Sequence, residues 1–346
     1  MSRRLGWGIV GLGNIARGTI APILATEPDC AIAAVTSRDQ GRADAFAAEF
    51  SAQGAYTDYA EMLGDPSVEA VFIATPNALH AEQVVAAARA GKHVLCDKPL
   101  AIDVADAARA VEACDAAGVL LGVNFHNRFL PWVRDVSRIV ADGAIGDVLT
   151  VHVEVGGGAK RYDNWRADPR MAGLGTVHNV GVHALDFLRM LLDSEPVEVS
   201  AMFDEAPGGG AVEMLALIVL RFANGALVYC NANERHPYAR NDITIHGTAG
   251  RITGTGVTRS RSSGDLTVLT DRGETVTRYP ATEAHRSSVA AFTASVMRGR
   301  SPAPSGVDGL RSAELCEAVR RSAVERRTVE IRHTSHGHAA RIGEVR

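Results

Sequence analysis

The stretch GKHVLCDKPLA, residues 91–101, brings an acid, a lysine and a proline together at the end of a short apolar run. Pro99 biases the residue before it toward extended backbone, so Lys98 leaves the run in a fixed direction. A lysine held where solvation is poor has its charged form disfavoured, which suits proton exchange with a substrate oxygen. When charged, it polarises a carbonyl. The plain alternative is a surface lysine after a strand. A second chemically capable stretch is GTVHNVGVHALDF, residues 175–187. Its Asn179, His183 and Asp186 are spaced by four and three, which is one face of a helix. His183 can donate to a substrate oxygen or take its proton, or it is a hydrogen-bonded core histidine. His178 and His183 lie five apart, off the spacing of a helical metal pair, and no ligand set is completed around them, so no metal site is expected.

These residues need elements to position them. The first third alternates strand-like and helix-like runs, which implies right-handed crossovers and a parallel sheet covered on both faces. In it, LGWGIVGLG reads as a strand ending in a glycine turn and NIARGTIAPILATE as the helix that follows. In the turn GLGNIA, Gly11 permits a tight bend, Gly13 lets backbone approach a pyrophosphate, and Ala16 lets the helix pack close; Asn14 and Ile15 open that helix, whose free N–H groups face the phosphates. The second strand ends in TSRD. An NAD site places a carboxylate there for the ribose 2′-hydroxyl. Ser37 and Arg38 instead suit a 2′-phosphate, with Asp39 just beyond, so NADP is the expected cofactor with NAD possible. Lys98 then lies at the carboxyl end of a parallel strand, where ligands gather in such sheets.

After Phe125 the rhythm changes. A helix-like stretch, a polar and aromatic loop, the histidine helix and several strand-like runs follow, which suggests a largely antiparallel sheet closed by helices near 284–298 and 307–326. The expected division is residues 1–125, 126–333 and a loose tail, 334–346. The chain has 346 residues, a formal net charge of -4 and 46% hydrophobic residues, an ordinary soluble composition with room for two cores. No basic excess or basic amphipathic stretch points to nucleic acid or a membrane surface, and no apolar run is long enough to span a bilayer. The apolar start is short, glycine-broken and without a cleavage site, unlike a signal peptide. Five scattered cysteines read as reduced thiols in a cytoplasmic protein.

The motifs GLGNIA, AVFIATPNALHAEQVVAAARAGKHVLCDKPLA, NFHNRFLP with GAIGDV, and GLGTVHNVGVHALDFL together resemble the Gfo/Idh/MocA family of NAD(P)-dependent oxidoreductases, over nearly the whole chain. The resemblance implies a Rossmann domain followed by an α+β domain with a large, open, mostly antiparallel sheet, and a sugar, polyol or inositol-like substrate. It implies that Lys98 lies beside the nicotinamide and the reacting hydroxyl, that the Lys98–Pro99 peptide is cis, and that His183 is the substrate-site histidine with Asp186 one turn on, bonded to that helix face or to the histidine. Two positions depart from the pattern. Asp97 replaces the usual glutamate, and Asn179 stands where many members have an aspartate, which shifts proton transfer onto Lys98 and His183. Thr75, Pro76, Asn77 and His80 are expected around the nicotinamide half, with Asp97 and Pro99. Asn124, His126 and Arg128 are expected at a domain junction, and Tyr162, Trp165 and Arg166 on a loop that suits a sugar face and its hydroxyls. A homodimer or homotetramer through the open sheet is expected. Two other classes fit the same motifs: a redox-neutral glycosidase or lyase that retains NAD, and a non-catalytic nucleotide sensor.

Overall fold

The computed structural model describes residues 3–159, 162–204, 211–261 and 263–334. All of the expected tail except Thr334 lies outside the described residues. The chain divides into two compact units, Met1–Phe125 with His285–Ala313, and His126–Ala284 with Glu314–Arg346.

The first unit carries six strands: β1 (Leu5–Val10), β2 (Cys30–Thr36), β3 (Gly54–Tyr56), β4 (Ala70–Ile73), β5 (His93–Cys96) and β6 (Leu121–Val123). All pairings are parallel, in the order β3-β2-β1-β4-β5-β6. Every residue of β1 and β4 is buried, as continuous apolar runs must be when helices cover both faces. The order reverses between β1 and β4, and the carboxyl ends flanking such a switch point form a ligand crevice. Short acids begin the intervening helices: Asp39, Asp58 and Asp103 accept from the free N–H groups of the helices that follow them.

One boundary differs from the sequence expectation. The helix Ala284–Arg298, expected with residues 126–333, belongs from His285 to the first unit. Val289 and Phe292 join the core around β1. The Phe292 ring lies 5.7 Å from that of Trp7, and the Thr293 hydroxyl lies 3.4 Å from Cys30 Sγ. Periodicity reports that a helix forms, but not which of two sheets it covers.

The second unit carries β7 (Val148–Gly156), β8 (Pro196–Phe203), β9 (Leu215–Phe222), β10 (Leu227–Asn233), β11 (Ile243–Gly247), β12 (Gly250–Thr255), β13 (Gly264–Thr270), β14 (Gly273–Tyr279) and β15 (Val329–Glu330). Their order is β14-β13-β12-β11-β7-β10-β9-β8-β15. Only β7 and β10 run parallel; the other neighbours are antiparallel. Period-two alternation gives the sheet a buried face, with Val151, Val153, Ile218, Leu220, Val228, Cys230 and Ile245. On the other face Ser200, Val219, Tyr229, His152 and Thr244 stand side by side in register, and Val219 is 48% exposed. Helices Pro131–Ala141 and Val182–Leu192 meet through Trp132 and Phe187, whose rings pack edge to face at 5.4 Å.

Replacing Phe292 with alanine removes the aromatic partner of Trp7, and is expected to destabilise the first unit by about 3–5 kcal/mol. Thermal unfolding reads this directly, and an unchanged midpoint would mean that the helix contributes nothing to the β1 core.

Candidate active site

In the first unit, β1 runs into Gly11 at φ +85. A Cβ there would lie 2.8 Å from Thr75 Cγ2 and 2.9 Å from the Ala74 carbonyl, so backbone and packing both require glycine. At Gly13 a Cβ would meet nothing within 4 Å, which leaves the backbone open to a ligand. A helix starts at Asn14 and Ile15, and Arg17 N–H donates to the Gly13 carbonyl at 2.9 Å. Its next residues, Ala16–Ile20, form one wide π-type turn, with Ala16 fully buried against the sheet. This open turn ahead of a helix fits the pyrophosphate of a dinucleotide. Arg42, which sequence reasoning passed over, donates to the Leu12 carbonyl at 2.5 Å and ties the turn to the helix after β2. At the end of β2, Ser37 is half-buried and Arg38 exposed. The Asp39 carboxylate accepts from the Arg42 N–H at 2.7 Å as a helix cap.

The carboxyl ends of β4 and β5 are held together by one imidazole. His80 is 1% exposed, with Nδ1 2.7 Å from the Pro99 carbonyl and Nε2 2.9 Å from the Thr75 carbonyl. Burial pushes its pKa down, against the pull of the two carbonyls. The direct cofactor contact expected of His80 is thus replaced by a brace between two turns. Thr75 donates to Gln83 at 2.6 Å, Pro76 precedes the single turn Asn77–Leu79, and Asn77 is buried. Lys98 is half-buried, Pro99 is buried, and the peptide between them is cis. Asp97 Oδ1 accepts from Asn124 Nδ2 at 3.3 Å, and Asn124 Oδ1 accepts from the Ser288 hydroxyl at 2.9 Å. Asn124 is fully buried. Its expected substrate contact is therefore corrected to an internal role beside Asp97.

In the second unit, the three residues expected on one helical face enter different networks. A π-type turn, Val177–Gly181, precedes the helix Val182–Leu192. Asn179 Nδ2 donates to the Tyr162 oxygen and to Glu234 Oε1, both at 2.6 Å. Asp186 is 1% exposed and accepts Arg128 Nε and Nη2 at 2.7 and 2.6 Å. This bidentate pair ties Arg128, expected at the substrate, to the histidine helix. His183 is buried, and the buried His126 ring meets it edge-on at 4.5 Å between centroids. Arg166 stacks over the Trp165 ring at 4.3 Å. Two buried acids were not foreseen. Glu213 accepts the N–H groups of Gly175 and Val177 at 2.8 and 3.0 Å, clamping the approach to the histidine helix, and burial raises its pKa to about 7. Glu234, just past β10, is 0% exposed. Among the described residues, no group of three or more His, Cys, Asp or Glu is arranged to hold a metal ion, and no helix is long and apolar enough to cross a membrane.

The oxidoreductase-family model with an NAD-binding Rossmann fold matches residues 5–125, and the GFO/IDH/MocA C-terminal domain model matches residues 133–253. The chain is 33% identical over 328 residues to the 1,5-anhydro-D-fructose reductase of Ensifer adhaerens, covering 94% of this chain and 98% of that protein. Among solved structures, the aldose-aldose oxidoreductase of Caulobacter crescentus complexed with glycerol superposes with a TM-score of 0.87 at 29% identity, covering 95% of this chain and 100% of the other. Levoglucosan dehydrogenase in complex with NADH and L-sorbose gives 0.84 at 25% identity, covering 96% and 100%.

Glu213 makes a pH dependence visible. Unfolded, it titrates near 4.5; folded, near 7. Between those values the native state holds a proton that the unfolded chain has released. Its contribution is therefore full below pH 4.5 and is lost as pH rises through 7. The drop in unfolding free energy between pH 5 and pH 8 should be smaller in Glu213→Gln than in the wild type, by about 2 kcal/mol. Denaturant titrations at the two pH values check this, and equal drops would show that Glu213 is ionised at both.

Proposed function

This chain belongs to the Gfo/Idh/MocA family of oxidoreductases, and from that premise we propose that it transfers a hydride between NADP and a hydroxyl-bearing carbon of a sugar, polyol or inositol-like carbohydrate. As a member of that family it is an NAD(P)-dependent dehydrogenase or reductase acting on hydroxyl and carbonyl groups. The observation that carries the reading is the His80 brace, which joins the Thr75 turn beside Gly11 to the turn bearing Lys98. A nucleotide-binding turn and a proton-transfer group are thereby held at one edge of one sheet.

Gly11, Gly13 and the helix from Asn14 to Ala16 hold the pyrophosphate. Ser37 and Arg38 receive the 2′-phosphate, because the nearest acid, Asp39, is committed to its helix cap. Thr75, Pro76, Asn77, Asp97 and Pro99 shape the walls of the nicotinamide half. When bound, the cofactor accepts the hydride in oxidation and gives it in reduction. Lys98 takes the proton from the substrate oxygen in oxidation and returns it in reduction, so the alcohol loses one hydride and one proton in all. His183 is the second group assigned to that oxygen, with His126 against its ring. Tyr162, Trp165, Arg166 and Asn179 are assigned to the remaining hydroxyls and the sugar face. Covering the exposed row of the nine-stranded sheet by a second copy gives a homodimer or homotetramer. The five free, buried cysteines suit a cytoplasmic setting.

Lys98→Met should lower kcat by about 10²–10⁴-fold with little change in cofactor affinity. Steady-state rates and a cofactor titration test this together, and activity within a few-fold of wild type would remove Lys98 from the chemistry. The wild type should show a lower KM for NADPH than for NADH, and Arg38→Ala should raise the NADPH value by about tenfold while leaving NADH alone. A wild-type preference for NADH would overturn the cofactor assignment.

A further inference from the structure

With the Glu234 carboxylate ionised, the three groups Tyr162, Asn179 and Glu234 admit one arrangement of protons. Asn179 Nδ2 and the Tyr162 hydroxyl both reach Glu234 Oε1 at 2.6 Å, and the same Nδ2 reaches the Tyr162 oxygen at 2.6 Å. An amide nitrogen only donates, and an ionised carboxylate only accepts. Turning the amide over would set its oxygen 2.6 Å from a carboxylate oxygen, so Glu234 fixes which way Asn179 faces. The phenol has one proton, and it points at Glu234. Its oxygen accepts from Asn179 and keeps one further lone pair. Tyr162 is only partly buried, whereas Glu234 is 0% exposed. Burial and the Glu234 carboxylate both push Tyr162 above the usual phenol range, so it keeps its proton.

We propose that Glu234 turns Tyr162 into a hydrogen-bond acceptor that selects one free hydroxyl of the substrate. This rests on the carbohydrate reading above and deepens it. The subsite takes an O–H donor and disfavours a hydrogen, a fluorine or an ether oxygen at the same position. Tyr162 is a binding residue and not the acid of the reaction; Glu234 is a positioning residue that acts through it. The same network accounts for asparagine at 179. An aspartate there would place two carboxylates 2.6 Å apart, where both cannot be ionised. The buried carboxylate comes from the end of β10, and the helix supplies the amide that matches it.

The test uses the full chain with a panel of D-glucose, D-xylose, L-sorbose and myo-inositol, read by calorimetric binding and by turnover in both directions, with NADP+ for oxidation of the hydroxyl groups and NADPH for reduction of L-sorbose. The best-bound member is then compared with analogues in which each hydroxyl in turn is replaced by hydrogen or by fluorine. At one position both analogues should weaken together, by about 10²-fold or more, chiefly in KM or Kd. Fluorine accepts a hydrogen bond weakly but cannot donate one, so equal losses identify an acceptor on the protein. Tyr162→Phe should reduce that discrimination to a few-fold, because the parent compound loses the acceptor and its KM or Kd rises toward those of the analogues. Glu234→Gln, which still offers an oxygen to the phenol proton, should retain the preference in weakened form. A fluoro analogue that binds like the parent, undiminished discrimination in Tyr162→Phe, or no binding by any panel member would each overturn the proposal. Binding without turnover would instead count against the oxidoreductase reading, and the Kd values of the analogues would still decide the subsite.

Discussion

A single buried imidazole lies between two backbone carbonyls, and the carboxyl ends of β4 and β5 are organised around it. His80 lies between the Thr75 and Pro99 carbonyls, so two turns that leave different strands share one support. The site has opposed demands. Two acceptors favour a doubly protonated ring, while burial favours the neutral one and pulls the pKa down. Neither state satisfies everything, and no small side chain could span the same gap. The strand pairings supply the rest of the rigidity. β4 and β5 run in register from Ala70 and His93 to Ile73 and Cys96, so the two turns start level.

The second unit solves one problem three times. A carboxylate removed from water needs donors around it. Asp186 obtains a planar guanidinium from Arg128. Glu213 obtains two backbone N–H groups where the chain bends into the histidine helix. Glu234 obtains a phenol and an amide. The three solutions set different properties. The ion pair anchors one helix, the backbone clamp shapes its approach, and the side-chain triad directs a proton. His183 lies on the element that the first two stabilise, with Asn179 four residues before it on the turn that the third one reaches.

Legibility followed the range of the interaction. The glycine turn was readable because its constraint is local: Gly11 needs a positive φ and Ala16 needs a small side chain, whatever the rest of the chain does. The sheet classes were readable from continuous against alternating apolar runs. What failed was partnership across the chain. The face holding Asn179, His183 and Asp186 was real in spacing, yet Asp186 pairs with Arg128, 58 positions away. Asn124 reads as a cleft residue until Ser288, 164 positions on, closes around it. Glu213 and Glu234 gave only a faint signal, each a single acid at the end of an apolar strand run. The Asn179 departure was noticed as a lost carboxylate, and its complement could be found only in three dimensions.

The helix Ala284–Arg298 has a consequence for the order in which the molecule can be made. Neither unit is a continuous stretch of chain. Trp7 enters the growing polypeptide almost at once, but Phe292, which faces it, arrives after nearly the whole second sheet has been synthesised. During translation the first unit therefore waits with a gap beside β1, and the residues that make up most of the second unit are complete before that gap can close. A fragment ending at Phe125 would hold the glycine turn, His80 and Lys98, and would still lack part of its own core.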